Sequence, residues 1–204
     1  MVKNNELTDI SLEGGRSCLD FVNTVHDRKS EPVLDYLFNV LDLILWGEKV
    51  GIVSKESAEA IESAGLAEEQ KARKFFKEAV ALRELLYRIF YKVSRQERVG
   101  GADLNEFNDF LQKLFARLEI QAAKEGLQTG WNLPKSDFRW ITAPIVMDAY
   151  ELLLSDKLVR VKECPNCGWL FQDSTKNGKR KWCSMQACGS NVKALEWYHR
   201  NKAK

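Results

Sequence analysis

Apolar residues recur at steps of three and four through most of residues 34–126, the spacing of one face of an α-helix. Ala72, Phe75, Phe76, Ala79, Leu82, Leu86, Phe90 and Val93 trace one long stripe. Gly100-Gly101 closes it, because a helix interior holds glycine only at an entropic cost. Leu104, Phe107, Leu111, Leu114, Leu118 and Ala122 trace a second stripe, with Asp103 as its N-cap and Glu106 three residues on. The two stripes predict an antiparallel helix pair. Shorter helices are expected over 35–50, before Gly51, and over 54–64, from a capping Ser54 to Gly65. Pro144 lacks only an N–H that a first turn would leave unpaired, so it predicts a fifth helix over 144–155.

Two stretches break the helical period. Residues 17–25 crowd Cys18, Leu19, Phe21, Val22 and Val25, a density that fits a short buried strand or a helical turn equally well. Residues 126–142, with Trp131 and Trp140 on either side of Pro134, Ser136 and Asp137, read as a small hairpin. The fold class expected is mainly α: a helical N-terminal domain over 1–158 with short β elements, and a small C-terminal unit over 159–204.

At 204 residues, 45% apolar and 29% charged, the chain has the balance of a globular protein with a real core. Its first fifteen residues carry no apolar run behind a basic start, and the most apolar helical stretch, residues 37–46, is too short to cross a bilayer. A cytoplasmic protein with no membrane partner is therefore expected. In a reducing compartment its five cysteines stay as thiols, open to a metal rather than paired as disulfides.

Charge changes the picture because it is unevenly spread. Residues 1–158 hold 21 Lys and Arg against 26 Asp and Glu, net −5, whereas residues 159–204 hold 10 against 3, net +7. Only the C-terminal unit is suited to a polyanion.

That unit also carries the chemistry. Cys164-Pro-Asn-Cys167 and Cys183-Ser-Met-Gln-Ala-Cys188 are two close pairs separated by fifteen residues. A tetrahedral all-cysteine zinc site needs this arrangement, each pair wrapping one side of the ion at about 2.3 Å per Zn–S bond while the intervening loop forms a hairpin. Gly168 follows a turn whose N–H groups can face sulfur, and Cys188 is expected to open a helix to about Arg200, where a thiolate is favoured. Knuckle, hairpin and helix describe a treble-clef-like finger around one structural Zn2+. The alternative is four ordinary buried cysteines, but a segment of 46 residues with few aliphatics needs a staple to fold. Cys18 belongs to neither pair and reads as a small core residue.

Four thiolates close the metal's shell, whereas a catalytic zinc keeps an open position. His26 and His199 are the only histidines and fall in no ligand spacing, and no P-loop, Gly-x-Ser-x-Gly elbow or Rossmann fingerprint occurs. No enzyme is expected. Lys176, Lys179, Arg180 and Lys181 crowd the inter-pair loop, and Lys193, Arg200, Lys202 and Lys204 lie on or after the terminal helix. Lys and Arg grouped on a metal-held scaffold present charge to phosphates, so DNA is the partner expected. A solvated loop tip is the plainer account of the same charges. Trp169, Phe171, Trp182, Trp197 and Tyr198 are interleaved, most of them as the unit's own core.

Arg160-Val-Lys-Glu-Cys164-Pro-Asn-Cys167-Gly-Trp-Leu-Phe171-Gln-Asp173-Ser174, Arg180-Lys-Trp182-Cys183-Ser184-Met185 and Cys188-Gly189 resemble the CGNR zinc finger of bacterial transcription regulators. In that family a stress-responsive domain, ABATE, precedes the finger. Leu19-Asp20-Phe21-Val22-Asn23-Thr24 resembles its opening motif, and residues 144–154 its last helix. The name-giving tetrapeptide reads Cys188-Gly189-Ser190-Asn191 here, so a guanidinium that could grip phosphate or guanine is missing at Asn191. The resemblance implies a sensing role for the N-terminal domain, with Asp20, Asn23, Thr24 and Arg83 as candidates to bind a small-molecule effector. The competing and favoured account is that Asp20 and Asn23 satisfy backbone groups at a buried turn and that Arg83 pairs with an acid.

The leading expectation is a zinc-containing DNA-binding transcription regulator, its oligomeric state open and a homodimer included. The alternatives are a protein-interaction module that docks an acidic partner without DNA, and a thiol switch that ejects zinc on oxidation.

Overall fold

The computed structural model describes Leu7, residues 10–31 and residues 33–202. Lys204 and, of the first fifteen residues, 1–6, 8 and 9 lie outside the described residues. The chain runs α1 (Ser17–Val22), α2 (Val40–Lys49), α3 (Lys55–Ala67), α4 (Glu69–Ser94), α5 (Gly101–Phe115), β1 (Leu118–Ala122), β2 (Leu127–Trp131) and α6 (Arg139–Leu154). A 3-10 turn (Asp156–Arg160), β3 (Val161–Glu163), β4 (Leu170–Gln172), a π turn (Met185–Gly189) and α7 (Ser190–Lys202) complete it. The fold is mainly α with two small antiparallel hairpins. No helix among the described residues is long and apolar enough to cross a membrane.

The long helix α4 is the axis. Its predicted stripe is buried at Ala72, Ala79, Leu82, Leu86 and Phe90, and α1, α2, α3 and α5 pack around it. The antiparallel sense of α4 and α5 is visible in their ion pairs: Lys92 reaches Asp103 at 2.7 Å, and Arg88, one turn earlier on α4, reaches Glu106 at 2.8 Å. Of residues 17–25, the first six form a helix, and Val25 makes an isolated antiparallel bridge to Asp35. All of Cys18 to Val22 are buried in α1, and Phe21 packs on Trp46 with ring centroids 5.3 Å apart.

Several boundaries differ from expectation, each for a local reason. α2 starts at Val40 rather than residue 35, because Asn39 and Asp42 form a reciprocal capping box. α3 continues through Gly65 to Ala67. Gly100, not Asp103, is the N-cap of α5; Asp103 lies in the first turn, where its carboxylate takes up Arg88 and Lys92. α5 ends at Phe115. Leu118 and Ala122 belong to β1, which pairs with β2 in the register Leu118↔Trp131 and Ala122↔Leu127 around Gly126 at φ +84. A spacing of four satisfies a strand as well as a helix, so that part of the stripe carried no helical information. The hairpin thus spans 118–131, not 126–142. Trp140 lies on α6, its indole N–H donating to the Pro134 carbonyl at 2.9 Å. α6 begins at Arg139, which puts Pro144 inside the helix at the cost of one backbone hydrogen bond.

The C-terminal unit differs in one respect that matters for its site. The loop between the cysteine pairs does not form a hairpin by itself; β3 precedes the first pair and β4 follows it at the start of that loop, in the register Val161↔Gln172 and Glu163↔Leu170. Val161 and Leu170 are part of the helical core, while Ile10 from the N-terminal side joins the cluster around the cysteines. The unit is packed into the body.

Candidate metal centre and its cationic surroundings

β3 and β4 bring the first cysteine pair to the tip of a tight turn. The Cys164 N–H donates to the Trp169 carbonyl at 2.7 Å and the Gly168 N–H to the Cys164 carbonyl at 2.9 Å. The turn requires φ +75 at Gly168, a region where glycine has no steric penalty. The body holds this knuckle from outside: the Arg28 N–H donates to the Cys167 carbonyl at 3.0 Å, and the Trp169 indole to the Val25 carbonyl at 2.6 Å.

The second pair spans the π turn. Cys188 lies within Met185–Gly189 and α7 starts at Ser190, so the cysteine leads into the helix instead of opening it. A Cβ at Gly189 would lie 2.6 Å from the Met185 sulfur and 3.0 Å from the Trp182 ring, so a larger residue here would require those side chains to shift.

All four sulfurs are buried, unpaired as disulfides, and within 4.8 Å of one another. Cys167, Cys183 and Cys188 form a triangle with sides of 3.6 Å. Four sulfurs about 2.3 Å from one tetrahedral ion stand about 3.8 Å apart, whereas a disulfide needs about 2.05 Å. The geometry fits zinc and excludes disulfides. Ionisation gives the same answer. Hydrogen bonds from Cys167 and Cys183 hold the Cys164 thiol far below its ordinary range, and the bond to Cys164 pushes Cys167 and Cys183 far above theirs. Four thiols in this space cannot all ionise without a cation to offset the charge, and a divalent ion does so. Asn166 adds an amide N–H 3.4 Å from the Cys188 sulfur, an outer contact that orients a thiolate. The four cysteines form one structural Zn2+ site.

Residues 15–156 match the ABATE family, described as a "putative stress-induced transcription regulator". The chain belongs to the ABATE family. Residues 160–201 match the CGNR zinc finger, so the metal centre is the centre of that finger. No curated protein matches the chain. It is a zinc-containing member of a transcription-regulator family.

Around the CGNR centre, Lys179, Arg180, Lys181 and Lys193 line one groove of about 540 Å³, together with Asn177 and Trp182. Lys193, from the first turns of α7, meets the inter-pair loop there. Lys181 lies 4.7 Å from the Trp182 ring centroid. Arg180 is less available than its neighbours, because its guanidinium bonds Glu13 at 2.9 Å and the Trp182 carbonyl at 3.0 Å. Lys176 is exposed on the same loop outside the groove. Arg200 lies away from it, in a recess with Val192, Leu195 and His199. No residue of α7 is buried.

The ABATE opening motif is occupied by contacts within the chain. Asp20 accepts the Gly14 N–H at 2.7 Å. Burial pushes its carboxyl up to about 6, against the pull of that hydrogen bond and with a further push from Glu13 and Asp148. Asn23 donates to the Leu170 carbonyl at 2.8 Å and accepts the Leu170 N–H at 2.9 Å. Thr24 donates to the Phe21 carbonyl at 2.8 Å and accepts from Arg83 at 3.2 Å. Arg83 forms a two-pronged pair with Asp35 at 2.8 and 2.6 Å. These contacts have the form of the structural account, with the motif joining body to finger.

The hub of the cationic loop escaped sequence reasoning. Asp173 is buried and accepts from the Lys162 ammonium at 2.6 Å, from the Thr175 hydroxyl at 2.5 Å and from the backbone N–H groups of Thr175 and Arg180, both at 2.9 Å. Asp173-Ser-Thr175 is an Asx-turn signature, a signal present in the sequence but unused.

Proposed function

We propose that this chain is a DNA-binding transcription regulator whose finger grips duplex phosphates through Lys179, Lys181 and Lys193. The observation that carries the reading is that these three cations, drawn from the inter-pair loop and from α7, line one groove beside the metal centre. The excess of cations over acids after residue 159 and the ABATE and CGNR memberships support it. α7 is the element suited to a DNA groove, since no packing of its side chains would be lost on docking. Ser190 and Asn191 at its start offer hydrogen bonds where a guanidinium would offer charge, so contact at these positions favours base edges over phosphate. The helical domain supplies a small-molecule input, and the closed four-thiolate shell fits a regulator better than an enzyme.

A fluorescence-anisotropy titration of the zinc-loaded protein against a mixed duplex pool in rising salt tests the reading. Binding that falls with salt, with a slope of about 0.9 per phosphate contact and reduced by about one contact for each of Lys179→Gln, Lys181→Gln and Lys193→Gln, is expected. No binding to any duplex at about 50 mM salt sinks it.

A second reading keeps one specific observation in view. Leu195, Trp197 and Tyr198 on α7 are 57%, 63% and 51% exposed, an apolar surface that a protein partner could cover. A partner whose capture survives nuclease, with no duplex bound, would favour that reading.

A further inference from the structure

Between α4, α5 and α6 lies a cavity of about 200 Å³ that shares no lining residue with the finger's groove. Leu82, Leu114, Ala143 and Val146 form its apolar floor, and Phe75 and Phe110 wall it. Its mouth is different in character. Lys113 and Arg117, from the end of α5 and the residue pair beyond it, reach the rim alongside Arg139 and Glu78. Asp137 engages the Arg139 guanidinium at 2.8 and 2.6 Å. Among the described residues no carboxylate pairs with Lys113 or Arg117; Lys113 lies 5.7 Å from the Phe110 ring centroid.

We propose that this cavity binds a hydrophobic carboxylate, with its acyl or aryl body on the apolar floor and its anionic head between Lys113 and Arg117. The proposal rests on the small-molecule input of the preceding reading and is independent of DNA contact. A neutral hydrocarbon would satisfy the floor and leave both cations unmatched, while an organic cation would meet two like charges at the mouth. Glu78 is the one carboxylate among the lining residues, against Lys113, Arg117 and Arg139. The position suits an input. α6 contributes Thr142, Ala143 and Val146 to the cavity, and its Asp148, two residues past Val146, accepts the Cys18 N–H at 2.8 Å. Cys18 lies in the first turn of α1, whose C-cap is Asn23, the residue clamped to the finger.

The test is calorimetric titration of the full, zinc-loaded chain with octanoate, without DNA, so that failure of the DNA reading leaves the result interpretable. Saturable binding of one octanoate per chain is expected, with octanol and octylammonium at least about tenfold weaker. Lys113→Glu with Arg117→Glu, both on the exposed rim, is expected to weaken octanoate about tenfold with an unchanged melting temperature. Thr142→Trp, filling the cavity, should abolish binding. Absence of saturable heat, equal binding of octanoate and octylammonium, or indifference to the double charge reversal each overturns the proposal. The charge reversal decides the question even where Thr142→Trp fails to fold.

Discussion

The side-chain amide of Asn23 pairs with both backbone groups of Leu170, as a neighbouring strand would: it donates to the carbonyl at 2.8 Å and accepts the N–H at 2.9 Å. β3 covers one side of β4, and Asn23, with the Gly14 carbonyl receiving the Gln172 N–H at 2.8 Å, covers the other. The finger's hairpin therefore has no open edge toward the body. Asn23→Ala would leave a buried N–H and a buried carbonyl unmatched, a loss of about 2–4 kcal/mol in urea unfolding. Asn23→Asp should cost more, since a carboxylate cannot donate to the Leu170 carbonyl. A loss below about 0.5 kcal/mol for both variants would show that the contact is not a structural clamp.

Metal removal should act on the finger first and the helices second. Zinc analysis is expected to return one ion per chain, and Cys183→Ser to lose it, because three thiolates and a hydroxyl cannot restore the closed shell. The α7 backbone should then lose its protection from hydrogen exchange, while Leu85, Leu86 and Ile89 in α4, all fully buried, keep theirs. Full retention of zinc by Cys183→Ser would contradict the four-sulfur site.

The legible and illegible parts of the chain divide along a physical line. The α4 stripe and the four cysteines were readable because their signals are local: a sustained period of 3.6, and two short pairs whose spacing only a metal explains. Element ends were not readable where capping chemistry overrode the period, as at Asn39 and Asp42, or where a spacing of four suited two structures, as at Leu118 and Ala122. The groove was half legible. Lys179 and Lys181 announce themselves as neighbours, but that Lys193, twelve residues further on in α7, joins them is a tertiary relationship that no composition reveals. The roles of Asn23 and Arg83 depend on partners 147 and 48 residues away, Leu170 and Asp35, beyond any local pattern.

Asp20 makes an acid-side prediction of unusual sign. Its carboxyl is raised by burial to about 6, above the value near 4 of an unfolded chain. Between those values the folded state holds more protons than the unfolded one, so stability falls as pH rises from about 4 to about 6 and stays lower above that. Asp20→Asn keeps an oxygen for the Gly14 N–H and removes the buried charge. It is expected to raise stability at pH 7.5 by about 2 kcal/mol and to change it little at pH 4. Thermal melts of both proteins across that range check this; a variant destabilised equally at both values would show that the carboxylate is stabilising.

Asp173 separates charge from its placement. Burial pushes its carboxyl up, but the Lys162 ammonium, the Thr175 hydroxyl and two backbone N–H groups outweigh this and hold it well below the usual carboxylate range. A depressed value means stability that is present above about pH 4 and lost as pH falls below it. Asp173→Asn deletes a negative charge near the groove, so on Coulombic grounds alone DNA should bind more tightly. The same change weakens the hub from which Arg180 and Thr175 hang, loosening the segment that holds Lys179 and Lys181 in line with Lys193. Placement is expected to win: binding about fivefold weaker, a loss of about 1 kcal/mol, with a salt slope close to that of the parent protein. Anisotropy titrations give the affinity, and hydrogen exchange at Thr175 and Arg180 gives a DNA-independent measure of the hub. Tighter binding with unchanged exchange would mean that the loop keeps its shape without this carboxylate.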